Sequence, residues 1–177
     1  MDLKVILVNQ DLCTACLSCV EACSLYHENK VSYRRSRIKI ARDKIRSVFV
    51  PLLCEMCYGH CLEVCPEEAL YFDPKLGTPV IEEDKCNGCM ICVRECPFGG
   101  IIFDEVNRKA LKCDLCGGDP LCVQVCQPGA LIAVKARPEA LLEKYEKACA
   151  KMQVYHQEIE PEVKRYKKKA AAAEEGA

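Results

Sequence analysis

Apolar residues come in short runs along most of this chain, and each run breaks after four to six residues at glycine, proline or charge. Leu3–Val8, Arg37–Ala41, Ser47–Leu52, Ala69–Phe72, Thr78–Ile81, Ile101–Asp104 and Leu131–Val134 read as short β-strands on that pattern. Asp73-Pro-Lys-Leu-Gly77 predicts a hairpin connection, and Glu105-Val-Asn-Arg108 a second turn before a strand that leads into Cys113. The period changes only after Pro138, which suits a first helical position. Leu142, Tyr145, Cys149, Met152, His156 and Ile159 then recur at three- and four-residue steps, predicting a helix with one apolar stripe. Pro161 ends or kinks it, and the lysine- and alanine-rich remainder reads as a solvated tail. The expected fold class is α+β and loop-rich.

Composition sharpens the question of what fills the core. Of 177 residues, 50% count as hydrophobic, but 17 of these are cysteine, with no Trp and only four Phe. So dense a cysteine content implies disulfides in a secreted chain and metal in a reducing compartment. The start, Met1 to Gln10, carries an acidic residue at once and only four consecutive apolar residues, too few for a signal-peptide core. No twin-arginine leader and no apolar run of membrane-spanning length is seen. A cytoplasmic, metal-binding protein without a membrane span is expected. The formal charge of −1 gives no reason to expect nucleic-acid binding.

Sixteen cysteines fall into four sets. Set one is Cys13-x2-Cys16-x2-Cys19-x3-Cys23, and set two is Cys54-x2-Cys57-x3-Cys61-x3-Cys65-Pro66. Set three is Cys86-x2-Cys89-x2-Cys92-x3-Cys96-Pro97, and set four is Cys113-x2-Cys116-x5-Cys122-x3-Cys126. Sets one and three share their spacing and an aspartate two residues ahead, Asp11 and Asp84. Sets two and four share Cys-acid-apolar-Cys, then Val-Cys, then Ala-Leu at Ala69-Leu70 and Ala130-Leu131. The chain is therefore read as a duplicated unit, A-B-A′-B′.

Three thiolates spaced i, i+3, i+6 wrap one loop around a compact inorganic core, so the fourth must arrive from elsewhere. The run C-x2-C-x2-C-x3-C-P does this in two-cluster bacterial ferredoxins, where its last cysteine ligates the other cluster. Set three matches that run completely. Zinc ribbons use two C-x2-C pairs a dozen or more residues apart and fit less well. The short link between sets two and three supports an inner exchange: Cys54, Cys57 and Cys61 with Cys96, and Cys86, Cys89 and Cys92 with Cys65. An outer exchange follows partly by elimination: Cys13, Cys16 and Cys19 with Cys126, and Cys113, Cys116 and Cys122 with Cys23. All sixteen are thus expected to bind the iron of four [4Fe–4S] clusters. In each of sets one and three a short helix should begin before the last cysteine. Loaded with four such centres, each contributing about −2, the protein would sit near roughly −9.

Cys13-Thr-Ala-Cys-Leu-Ser-Cys-Val-Glu-Ala-Cys23 and Lys112-Cys-Asp-Leu-Cys-Gly-Gly-Asp-Pro-Leu-Cys122 resemble the first and fourth motifs of a known family. That family is the four-cluster iron–sulfur subunits of molybdenum and tungsten oxidoreductases. Within it the chain is similar to the small subunits accompanying aldehyde-oxidoreductase-type tungsten enzymes, a group that includes class II benzoyl-CoA reductase. Covering about residues 1–135, the resemblance implies the same nested ligand pairing and electron transfer to a tungsten- or molybdenum-pterin catalytic subunit. A further electron-donor subunit is a second expected partner. Two departures stand out: set two has x3 where the family often has x4 with proline, and set four ends in Cys-Gln-Pro. An altered cluster is expected first at set two.

The expected organisation is two nested bacterial ferredoxin-like modules in residues 1–137. The outer one spans about 1–30 with 105–137, the inner about 50–104, and 138–177 forms a C-terminal helix and tail whose stripe packs on a partner. Cys149 reads as a buried apolar residue of that stripe. His27 and His60 are placed to donate to a cluster sulfur, although ordinary structural roles fit them and His156 as well. Lys30, Arg34, Arg35, Arg37, Lys39, Arg42, Lys44 and Arg46, opposed only by Asp43, form either a docking surface or a solvated hairpin edge. No nucleotide-binding glycine loop, nucleophile with its base or carboxylate dyad is found, so a non-catalytic electron carrier is expected. The alternatives are a structural or assembly protein stapled by clusters or zinc, and a redox sensor.

Overall fold

The two ends of the folded body meet in one sheet. In the computed structural model, which describes residues 3–43, 45, 47–57, 61–137, 139, 140, 143, 146 and 147, β1 (Leu3–Val8) pairs antiparallel with β8 (Leu131–Ala136). Their register sets Val5 opposite Val134 and Val8 opposite Leu131. Three hairpins follow inside that closure: β2 (Lys39–Asp43) with β3 (Val48–Leu52), β4 (Leu70–Asp73) with β5 (Thr78–Ile81), and β6 (Ile101–Asp104) with β7 (Lys109–Lys112). The β4–β5 turn forms because the Asp73 carboxylate accepts from the N–H groups of Lys75 (2.7 Å) and Leu76 (3.2 Å). Gly77 closes it at φ +66°, a conformation that costs glycine least.

The first strand of the basic hairpin starts later than its sequence suggests, at Lys39 instead of Arg37. Ile38 is 1% exposed, and Arg37 turns inward to Asp114 (3.2 Å), so neither joins the ladder. Helices α1 (Ser18–Glu28), α2 (Ile91–Glu95) and α3 (Leu121–Gln124) each carry the third cysteine of a set near the N-terminal end. The helix in set four goes beyond what the sequence predicts, and α1 runs far past a single turn. The apolar stripe predicted after Pro138 lies outside the described residues, as do His60, Cys149 and His156.

Two cores organise the body. The larger one gathers Val5, Ile6, Val20, Ile38, Leu53, Met56, Leu115 and Leu131 with cysteines of sets one, two and four. Among the described residues the smaller one has Leu70, Ile101 and Ala110 around Cys92, with Leu62, Val64, Ile81, Val93 and cysteines of sets two and three packed against it. Cysteine sulfur thus stands where leucine and phenylalanine stand in an ordinary domain.

Candidate iron–sulfur centres

The cysteine loops curl by repeated left-handed backbone. In sets one and three the residue before the second cysteine (Ala15, φ +55°; Gly88, φ +75°) and the one after it (Leu17, φ +68°; Met90, φ +64°) are left-handed. In sets two and four the residue before the second cysteine is a buried apolar one, Met56 (φ +53°) and Leu115 (φ +60°), and in set four Cys116 (φ +50°) and Gly117 (φ +71°) continue the left-handed run. Non-glycine residues carry a conformational cost there, so burial of Met56 and Leu115 must offset it. Such turns aim successive N–H groups at one point, as anion-binding nests do.

The structure brings the thiols together as four groups. Cys13, Cys16, Cys19 and Cys126 line one cavity with Leu17, Ile40, Pro51 and Leu131. Cys54, Cys57, Cys61 and Cys96 line a second with Phe98, Ile101 and Lys112. In the third group the Cys92 thiol faces those of Cys86, Cys65 and Cys89. In the fourth, Cys122 faces Cys116 and Cys23, and Cys113 faces Cys122. Set two, with its shortened spacing, gathers its first three thiols around a cavity with one from another set, as set one does. One close approach makes its grouping possible. A Cβ on Gly100 would stand 2.5 Å from Cys54 Cα and 2.8 Å from Leu53 O, so only glycine lets the chain after Cys96 lie against Cys54.

Backbone N–H groups donate to sulfur at the last cysteines of three sets, Arg37 to Cys23 Sγ (3.3 Å), Ala69 to Cys65 Sγ (3.3 Å) and Gly100 to Cys96 Sγ (3.3 Å), and Met56 donates to Cys54 Sγ (3.4 Å). Burial, followed by repulsion from the neighbouring thiols, pushes Cys19 and Cys92 up to about 11 and Cys57 and Cys122 to about 12. Cys61 also reaches about 12, from burial opposed by Lys112. Four such sulfurs become thiolates together only around a positively charged core. The donor set fits an iron–sulfur core, which would hold these sulfurs deprotonated.

The groups also lie in a row. Cys19 of the first faces Cys122 of the fourth, Cys113 of the fourth faces Cys54 of the second, and Cys61 of the second faces Cys92 of the third. The spatial order is one, four, two, three. Cys16 in the first group and Cys89 in the third are the exposed cysteines among those described. Around Cys16 the surface dips between Thr14, Ser18, Gln124 and Gln127, all uncharged.

Three features escape the sequence. Lys112, 5% exposed, lies between the second and fourth groups, and its ammonium donates to Thr78 Oγ1 (3.2 Å), Cys113 O (3.0 Å) and Pro79 O. Burial lowers its pKa, but the sulfurs of Cys54, Cys113 and Cys61 outweigh that and raise it above the ordinary lysine value. Much of the basic run faces inward. Arg35 pairs with Glu28 and with buried Asp104 (2.9 Å), and the Lys39 ammonium donates to the carbonyls of Tyr33 and Arg34 (2.8 Å). Arg34, by contrast, meets Glu105 on the open surface at 3.6 Å. Finally, His27 contacts Arg37 and lies 3.4 Å from Asp114. Burial, then the Arg37 charge, lowers it to about 4, so it is neutral at ordinary pH.

Two matches to known families cover the cysteine sets. Residues 5–66 and residues 45–137 each match a 4Fe-4S dicluster domain. Among individual proteins, the chain is 34% identical over 113 residues to a tetrathionate reductase subunit of Archaeoglobus fulgidus, covering 63% of this chain and 54% of that one. It is 38% identical over 93 residues to the polyferredoxin-like subunit of an aliphatic sulfonate oxidoreductase of Pyrococcus furiosus, covering 52% and 53%. The chain thus spans about half the length of these relatives. A chain of the active-site complex BamBC of benzoyl coenzyme A reductase aligns at 25% identity with a TM-score of 0.49, over 95% of this chain and 98% of that one. Among the described residues no helix is long and apolar enough to cross a membrane. The chain belongs to the 4Fe-4S dicluster domain family and carries ferredoxin-type modules for four [4Fe–4S] clusters.

Proposed function

We propose that this chain is the non-catalytic electron-transfer subunit of a cytoplasmic oxidoreductase complex, carrying electrons between a donor subunit and a tungsten- or molybdenum-pterin catalytic subunit. The observation that carries the reading is the row of four thiol groups with an exposed cysteine at each end, Cys16 and Cys89. Reductase and oxidoreductase subunits among the relatives, and the resemblance of the first and fourth motifs, support the partner class. In this reading Cys13, Cys16, Cys19 and Cys126 hold one cluster, and Cys113, Cys116, Cys122 and Cys23 the next. Cys54, Cys57, Cys61 and Cys96 hold the third, and Cys86, Cys89, Cys92 and Cys65 the last. The outer module, about 1–30 with 105–137, encloses the inner, about 50–104, and residues 138–177 form the appended helix and tail.

Clusters of this kind supply one-electron transfer, with potentials set by hydrogen bonds to sulfur, exposure and nearby charge. The chain's own part is geometric and electrostatic. Its left-handed loops hold the sulfurs, and the N–H groups of Arg37, Ala69 and Gly100 stabilise negative charge on Cys23, Cys65 and Cys96. Leu17, Ile40, Pro51 and Leu131 exclude water around the first group.

Anaerobically purified protein is expected to be brown, to contain about sixteen irons per chain and to take up and release electrons reversibly. Zinc in place of iron would sink the reading. Cys65→Ala is expected to remove the cluster of Cys86, Cys89 and Cys92 and to spare that of Cys54, Cys57 and Cys61, leaving about twelve irons. Loss of the local cluster instead would overturn the exchange. Purification of the native complex should bring tungsten or molybdenum with a larger subunit.

A further inference from the structure

Lys112 is a buried cation that lines the cavity of the second thiol group and donates to the carbonyl of Cys113 in the fourth. Oxygen acceptors surround its ammonium, Thr78 Oγ1 at 3.2 Å, Cys113 O at 3.0 Å and Pro79 O, and the Cys54 sulfur also accepts from it. An ammonium has three donors and no acceptor, so this cage suits the charged form and holds it in place. Thr78 Oγ1 is free to accept because its own proton goes to Met56 Sδ at 2.9 Å. Thr78 is 0% exposed, so the cage is rigid and dry on that side.

Among the described residues its hydrogen bonds go to Thr78, Pro79 and Cys113, and the carboxylates that line the same cavity, Glu55 and Glu95, are not buried as it is. The negative charge nearest in kind is sulfur: Cys54 and Cys61 of the second group and Cys113 of the fourth. An isolated charge at 5% exposure is costly unless something compensates it. The thiolates of those two groups are the compensation, and the dependence runs both ways. A fixed positive charge in a low-dielectric interior acts strongly over a few ångströms. It favours whichever redox state of its neighbours is more negative, which is the reduced one.

We infer that Lys112 is a positioning residue that selectively raises the reduction potentials of the two middle centres, those of Cys54, Cys57, Cys61 and Cys96 and of Cys113, Cys116, Cys122 and Cys23. It makes the middle of the row the preferred place for an electron. The inference rests on the ligand grouping proposed above. The lysine stays charged throughout, and no proton moves. Each event is the gain of one electron by one cluster, supplied by the neighbouring cluster or by an external reductant. An electron entering at the Cys16 or the Cys89 end therefore runs towards the centre before it leaves. The same charge couples the two groups, because each lies against the ammonium that the other helps to hold.

The test uses the full chain with its clusters, titrated anaerobically with titanium(III) citrate and followed by electron paramagnetic resonance. Signals are assigned to each centre from Cys→Ser variants of each set. Iron content checks the grouping first: about sixteen per chain upholds it independently of any potential. Lys112→Gln keeps amide donors for Pro79 O and Cys113 O but removes the charge, and Lys112→Arg keeps the charge. The expected result is a fall of at least tenfold in the equilibrium constant for reducing the two middle centres in Lys112→Gln, ~59 mV for a one-electron couple. The two outer centres stay within a third of that, and Lys112→Arg falls much less than Lys112→Gln. An equal fall in all four centres, no fall in the middle pair, or the same fall in the arginine variant overturns the inference. Should Lys112→Gln fail to retain its iron, the unaltered protein decides. Titration must reduce the two middle centres before the two outer ones, and the reverse order overturns the inference.

Discussion

The larger and smaller cores of this molecule are built on different terms. Around β1 and β8, Val5, Ile6, Val20, Ile38 and Leu131 pack as aliphatic side chains do in any small domain, and the sheet joins the two ends of the body. Around β4, β6 and β7 the buried aliphatic contribution shrinks to Leu70, Ile101 and Ala110 around Cys92, and the half-buried shell is shared between Leu62, Val64, Ile81 and Val93 and four cysteines. Burying a large aliphatic side chain contributes about 1.5–3 kcal/mol. The first core therefore has stabilisation that owes nothing to metal, while the second depends on it. Two tasks are thus separated in one chain: packing holds the frame, and the inorganic centres hold the interior.

Removal of iron by a chelator under anaerobic, reducing conditions should break this comparison most visibly, if it is wrong. Amide hydrogens of β4, β5, β6 and β7 are expected to lose nearly all protection from exchange, while those of Val5, Ile6, Leu131 and Val134 keep a measurable part of theirs. Equal loss in both regions would mean that both cores rest on the clusters. Next in size comes the ion pair that ties them together. Arg35 joins Glu28 at the end of α1 to Asp104 at the end of β6, and the two acid side chains are 9% and 1% exposed. Arg35→Met strands two buried carboxylates and is expected to cost about 3–5 kcal/mol in denaturant unfolding of the holoprotein.

A smaller effect should appear only in the iron-free form and only on the alkaline side. Cys19 and Cys122 belong to the larger core, where their thiols are pushed up to about 11 and about 12 from the ordinary 9.0. Unfolded thiols lose their protons first, so the stability of the iron-free frame is intact below about pH 8.5. It falls as pH rises through about 9 and towards 11–12. Melting temperatures of the iron-free protein measured between pH 7 and pH 10.5 should show the decline, and the loaded protein should not follow it. The smallest effect is expected at Arg34, whose pair with Glu105 is 90% and 79% exposed on the two sides. Arg34→Ala should cost at most about 1 kcal/mol by the same denaturant measurement that reads Arg35→Met. A larger cost would mean that the basic hairpin acts as one surface network and not as an inward anchor beside a solvated edge.

Local chemistry makes much of this protein legible. The four cysteine sets, their alternation and the β4–β5 hairpin are written in short stretches: spacing by three, an Asp-Pro turn, a proline after the exchanged cysteine. Each acts over a few residues, so each can be read without knowing the rest of the chain. The four-cluster content is readable from the sets themselves. What escapes are interactions across long separations. The basic run reads as a surface, yet Arg35 finds Asp104, 69 residues away, and Arg37 finds Asp114, 77 away. Lys112 looks in sequence like one more exposed lysine before a cysteine; β5 and two thiol groups closing around it turn it into a buried charge. Gly99-Gly100 reads in sequence as a turn before β6, and only the approach of Leu53 and Cys54 to within 3 Å of the missing side chain shows that Gly100 also serves a close packing of backbones. The sequence by itself determined which atoms could hold iron, because ligand identity and loop spacing are local properties. The tertiary structure alone decided which charges face those atoms and which face water, because a side chain's dielectric surroundings belong to everything packed around it.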